Sequence, residues 1–218
     1  MRCIFCKQIS NESASIEHIL PESLGNIEAI LLPSFVCDKC NNYFSREVEG
    51  PVLSSGIFRL LRNDKQIPSK KGKIPVFGDT ENPDLPDYRV MGRFIGKVGL
   101  EALAQRTQKV NGWNKEIVSK TELDELRAFV RFNKGAESWP YSYRTLYPVN
   151  AVFDDKSQTF EMLHEYDLLY TRGYEIYIIL VLFGVEFAMN LGGRILDGYK
   201  NWLKENDWKS PLYVGKNL

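Results

Sequence analysis

Four cysteines, arranged as two C-x-x-C pairs, constrain this chain more than any other feature. Cys3 and Cys6 make "CIFC", and Cys37 and Cys40 make "CDKC". Two knuckles of this spacing can each present two thiolates to one tetrahedral zinc ion and so clamp the segment between them. A thioredoxin-like redox site needs one such pair beside a βαβ pattern, whereas here there are two pairs and no βαβ. Four unrelated buried thiols would account for the cysteines but not for their pairing. The opening "MRCIFCKQ" has no apolar leader, so a reducing, cytoplasmic setting is expected, where metal binding prevails over disulfides. Structural zinc supplies on the order of 10 kcal/mol of folding free energy in small peptides. Four thiolates fill the tetrahedron and leave no open position for chemistry.

Zinc leaves "SIEHILPESLGN" (15–26) unexplained, with one of the chain's two histidines directly after a glutamate. Adjacent residues on a strand point to opposite faces, so Glu17 and His18 are neither an obvious chelate nor an obvious core pair. Immediately after Cys40 comes "NNYFSREVE", with Asn41 and Asn42 at an expected helix start. One asparagine there reads as a cap. Two, flush against a zinc knuckle and following an acid–His pair, ask for more.

The ordered set "CIFC…EHILPESLGN…VCDKCNNYF" resembles the HNH endonucleases, the ββα-metal nucleases, and in particular a zinc-clamped subgroup. The resemblance covers residues 1–62. It implies a β-hairpin and a helix gripping one divalent ion, Mg2+ or Mn2+, against a scissile phosphate. It also implies Glu17 as a metal ligand, His18 as the general base and Asn41 as the second ligand, with Asn42 as the alternative one register along. DNA is the implied substrate, with RNA a variant of the same chemistry. The chain departs from the family where a middle asparagine usually orients the base: nine positions before Asn41 stands Leu32. Ser34 is the nearest side chain able to hold the imidazole by a hydrogen bond, a backbone carbonyl is the other route, and Asn26 falls too early. Glu49 matches an acidic position found near this point in the subgroup; a solvated helix residue or a partner for Arg46 is the plainer reading.

The residue types suit the chemistry. An unperturbed imidazole titrates at about pH 6.5 and can take a proton from water at cellular pH. A hard divalent ion held by carboxylate and amide oxygens acts as a Lewis acid toward phosphate. With one face of the strand turned to the ion and the other to the water, Glu17 and His18 need not share a target.

Elsewhere the chain reads as ordinary globular protein, 44% hydrophobic and with 28 basic against 28 acidic side chains, so overall charge does not indicate a polyanion partner. Residues 63–87 are expected to be a linker or extended loop. The basic run that opens it, "RNDKQIPSKKGK" (62–73), offers Lys70, Lys71 and Lys73 as nucleic-acid contacts, or simply as a solvated loop. Residues 88–218 are expected to be an α+β accessory domain. Two helices open it, the second with a Ser119–Glu122 capping box and an end at Gly135. Their Arg89, Arg93, Lys97, Arg106, Lys109, Arg127 and Arg131 read first as a solvated face and second as phosphate contacts. A mostly antiparallel sheet of about four strands follows, built from 145–153, 159–167, 174–184 and 185–191, and then a closing amphipathic helix. "IYIILVLF" (176–183) is too short to span a bilayer and reads as a buried strand; His164 reads as structural. The expected fold class is therefore α+β, with an N-terminal zinc-clamped ββα-metal module. Two other functions fit less well: a non-catalytic zinc-ribbon binding module, or a toxin-like nuclease silenced by its C-terminal part. A homodimer would suit double-strand cutting, since one such site cuts one strand at a time.

Overall fold

The computed structural model describes residues 1–26, 28–78, 83–111, 115–135, 137–146 and 164–213, and the chain divides into two compact units, Met1–Trp139 and Pro140–Leu218. The fold is α+β. In the first unit Cys3 and Cys6 flank a tight knuckle, closed by Cys3 N–H donating to Gln8 O at 2.8 Å and Lys7 N–H to Cys3 O at 2.9 Å, with Lys7 in the left-handed region at φ 59°. Glu17–Leu20 then pairs antiparallel with Ala29–Leu31. Ile19 N–H donates to Ala29 O at 2.9 Å, Leu31 N–H to Glu17 O at 3.0 Å, and His18 faces Ile30 across the bridge. Asn26 fixes the connection from inside: its amide donates to Leu20 O at 2.7 Å, and its Oδ1 accepts from the Ala29 N–H at 3.0 Å.

Helix α1 (Asp38–Phe44) starts directly on Cys37. A break at Gly50-Pro51 follows from proline chemistry, yet the backbone stays helical through both. Ser45–Glu49 is a π-helical turn, and α2 (Gly50–Ser54) continues from it with Pro51 in its first turn, where no N–H is needed. Gly50 N–H closes the π-turn on Ser45 O, and a Cβ at position 50 would sit 2.9 Å from that oxygen. The helical path ends at Ser55, and α3 (Gly56–Asp64) follows.

Helix α4 (Tyr88–Asn111) packs on α2, on the π-turn and on α6 (Asp124–Phe132), with the short α5 (Lys115–Ser119) between. The division therefore falls at Trp139/Pro140, not at the expected boundary after residue 87, because α4 and α6 share a core with the zinc module. Phe5, Phe44, Val48, Phe94, Val98 and Phe129 are all buried. The Phe5 and Phe44 rings meet edge to face at 4.4 Å. The expected capping box does not form: Ser119 Oγ donates back to Glu116 O at 2.8 Å, and α6 starts at Asp124 behind a short 3-10 turn. Its end is set by Asn133 in the left-handed region at φ 53°, ahead of Gly135.

The second unit is a four-stranded antiparallel sheet, β1 (Tyr141–Thr145), β2 (His164–Tyr170), β3 (Ile176–Leu182) and β4 (Val185–Asn190), in the order β1-β4-β3-β2. Helix α7 (Asp197–Glu205) packs Tyr199 and Leu203 against Tyr177, Ile179, Val181 and Ala188. β3 is central, so its apolar run is buried, as its sequence suggests. The expected strands over 145–153 and 159–167 lie largely outside the described residues. No helix among the described residues is long and apolar enough to cross a membrane.

Candidate functional site

Two knuckles bring the Sγ atoms of Cys3, Cys6, Cys37 and Cys40 within 4.8 Å of one another, with Cys6 and Cys37 at 3.7 Å. A tetrahedral zinc at about 2.3 Å from each sulfur spaces its ligands about 3.8 Å apart, so the cluster fits structural zinc. Arg131 Nε donates to Cys40 Sγ at 3.0 Å while its guanidinium stacks 3.9 Å over the Tyr43 ring. Hydrogen bonds from Cys3 and Cys40 pull the Cys6 thiol down to about 2, whereas hydrogen bonds to Cys3 and Cys6, with burial, push Cys40 up. A dication lets all four sulfurs ionise together.

The strand leading from this clamp carries Glu17, whose carboxylate turns inward. Glu17 Oε1 lies 2.8 Å from Lys97 Nζ of α4. The same ammonium reaches Glu49 Oε1 at 2.9 Å and Glu101 Oε2 at 2.9 Å, and donates to His18 O at 3.0 Å. Lys97 and Glu101 have no exposed surface. Burial by itself would push the Lys97 ammonium down; Glu101, Glu17 and Glu49 more than offset this and hold it well above the usual range. Burial raises Glu17, and raises Glu101 further. Three carboxylates against one ammonium leave negative charge in excess, and Glu17 Oε2 and Glu101 Oε1 are buried without hydrogen-bond partners. The π-turn accounts for Glu49: its extra residue per turn shifts the register, and Glu49 joins the cluster.

His18 faces the other way. Its Nε2 lies 3.0 Å from Glu22 Oε1, while Nδ1 is shielded from solvent and has no partner. Asn41, in the first turn of α1, donates Nδ2 to Ile16 O at 3.2 Å, which sets the helix start against the strand one residue before Glu17. Asn42 is exposed. Ser34 sits at φ 73° in the turn before Cys37, its hydroxyl donating to Asn11 O at 3.3 Å. Lys70 stands 4.0 Å from Glu22 Oε2, so the basic loop borders the His18 side of the site.

Residues 3–55 match the HNH endonuclease family. The match spans about a quarter of the chain. No curated protein and no solved structure matches the chain. The HNH module thus carries the zinc cysteines, the acid–His pair and both asparagines, but not Lys97 or Glu101.

Several basic residues expected on a solvated or phosphate-binding face instead pin the HNH module from outside. Arg93, Lys97, Arg127 and Arg131 are buried. Arg93 Nη2 donates to Tyr43 Oη at 2.6 Å, and Arg127 Nε to Ile4 O at 2.7 Å. Arg106 and Lys109 are exposed, as expected. Motif reading missed Glu22, Lys97 and Glu101. Glu22 stands four positions after His18 across the Pro21 turn, and only the fold brings the two together. Lys97 and Glu101 carried only an i,i+4 pairing on an amphipathic helix, with nothing to tie them to Glu17.

Proposed function

We propose that Met1–Trp139 is a metal-dependent endonuclease unit that hydrolyses phosphodiester bonds in DNA, in restriction, defence or mobile-element biology. The observation that carries this reading is a repeated division of labour. Glu17 and His18 each have one polar atom directed at a scaffold partner and one buried without a hydrogen-bond partner, Glu17 Oε2 and His18 Nδ1, while Asn41 ties its Nδ2 to Ile16 O.

Glu17 Oε2 and Asn41 Oδ1 are hard oxygen donors suited to Mg2+ or Mn2+, and the excess negative charge around Lys97 favours a dication. Such an ion, when bound, supplies Lewis acidity toward the phosphate and the leaving oxygen. We assign the proton work to His18: with Nε2 directed at Glu22, the lone pair left to take a proton is on Nδ1. Lys97 holds Glu17 in its rotamer through Oε1. Lys70, which stands 4.0 Å from Glu22 Oε2, and its loop neighbours Lys71 and Lys73 are the side chains we assign to neighbouring phosphates.

The test is cleavage of supercoiled plasmid, and of RNA in parallel, with Mg2+ or Mn2+, beside His18→Ala and an EDTA control, with zinc measured throughout. Metal-dependent nicking lost in His18→Ala, at one zinc per chain in both proteins, is the expected result. Cleavage that survives His18→Ala would reject His18 as the base. No cleavage of either nucleic acid by a zinc-loaded fold would favour a binding module.

A further inference from the structure

We infer that Glu22 is the residue that positions the catalytic base, taking the part that Leu32 cannot play; the inference rests on the nuclease reading above. Glu22 Oε1 lies 3.0 Å from His18 Nε2, within reach of a ring N–H, and is the only polar neighbour of that ring among the described residues. An imidazole that donates from Nε2 keeps its lone pair on Nδ1, so this contact selects the tautomer as well as the ring orientation.

The carboxylate is delivered by a rigid turn. Pro21 fixes the entry at φ −55°, Glu22–Leu24 makes one 3-10 turn, and Leu24 N–H donates to Pro21 O at 2.9 Å. Gly25, at φ 88°, closes the turn with its N–H on Glu22 O at 2.8 Å. Leu20 and Leu24 are fully buried on either side, so the backbone carrying Glu22 cannot drift relative to His18. The second oxygen, Oε2, has the Lys70 ammonium 4.0 Å away, which balances the carboxylate's charge without competing for Oε1. An ordinary exposed i,i+4 pair would add a few tenths of a kcal/mol and orient nothing. Here one partner has its other nitrogen sealed from solvent, and the position that would otherwise hold the ring is a leucine.

The proposal separates Glu22→Gln from Glu22→Ala. Glutamine still accepts from Nε2–H through its amide oxygen; alanine does not. In plasmid cleavage by the zinc-loaded full chain, E22A is expected to lower kcat by about 10–100-fold, the usual cost of removing a partner that orients a functional histidine, with KM for DNA unchanged. E22Q is expected to recover most of that loss. Independently of activity, the His18 ring N–H should be visible as a slowly exchanging proton in nitrogen-15 spectra of wild type and E22Q, and lost in E22A. With only two histidines, His164→Gln completes the assignment. Equal kcat in wild type and E22A, or a ring N–H indifferent to E22A, overturns the proposal. A wild type that never cleaves but keeps a Glu22-dependent ring N–H would sink the nuclease reading and uphold the orientation by Glu22.

Discussion

The Lys97 ammonium sits 2.8 Å from Glu17 Oε1, joining a helix outside the family match to the acid of the acid–His pair within it. Removing one member of a buried charge cluster leaves the others uncompensated. Lys97→Met is therefore expected to cost about 3–5 kcal/mol, measured by urea unfolding of the zinc-loaded protein. A loss under about 1 kcal/mol would mean that the carboxylates rebalance by taking up protons.

The carboxylates give stability a pH slope. Glu17 and Glu101 hold their protons above the ordinary value of 4.5, so above that pH the folded state binds more protons than the unfolded one. Stability then falls as pH rises from about 4.5 through the folded values. Lys97, held above 10.5, keeps its contribution at every pH below 10.5 and loses it as pH rises through its folded value. Glu101→Gln should flatten the decline and raise the melting temperature at pH 8 relative to wild type. Parallel slopes in thermal melts across this range would contradict the assignment.

Zinc and the arginine over it should act together. Stripping the metal with a strong chelator is expected to abolish the cooperative melt of the first unit. Arg131→Ala should leave one zinc per chain but speed its loss to a chromogenic chelator by about 10-fold, since the thiolate loses its donor. An unchanged release rate would make Arg131 a packing residue only.

Gly50 tests the π-turn. Gly50→Ala brings a Cβ to 2.9 Å from a backbone oxygen, and is expected to destabilise by about 1–3 kcal/mol. Because the strain falls on the turn that presents Glu49, the half-saturating concentration of Mg2+ or Mn2+ in cleavage should shift as well. Unchanged stability would show that the turn tolerates an α-helical register.

Fragment length tests where the zinc-clamped unit ends. Residues 1–139 are expected to melt cooperatively with zinc, and 1–62 are not, because Phe44 and Val48 lose the α4 and α6 side chains that cover them. A freely cutting 1–62 fragment would revive the silenced-toxin reading.

Local patterns disclosed what local chemistry dictates. The cysteine spacing anticipated the clamp, alternation and apolar length anticipated the antiparallel sheet, and helical periodicity anticipated α4, α6 and α7. Where the reading failed, the cause was tertiary. Nothing in "GRFIGKVGLEALAQR" says that Lys97 lies against Glu17, since a lysine on an amphipathic helix is normally solvated. Proline chemistry argued for a break at Pro51, but a helix can accept proline in a first turn, and the π-turn before it created one.

Lys97 also bears on the order of events in the life of the molecule. With a resident cation already seated among Glu17, Glu49 and Glu101, this acidic pocket can close during folding without waiting for magnesium or manganese to arrive. If the proposed nuclease reading holds, maturation separates into two stages, with zinc building the protein and a second metal only arming it.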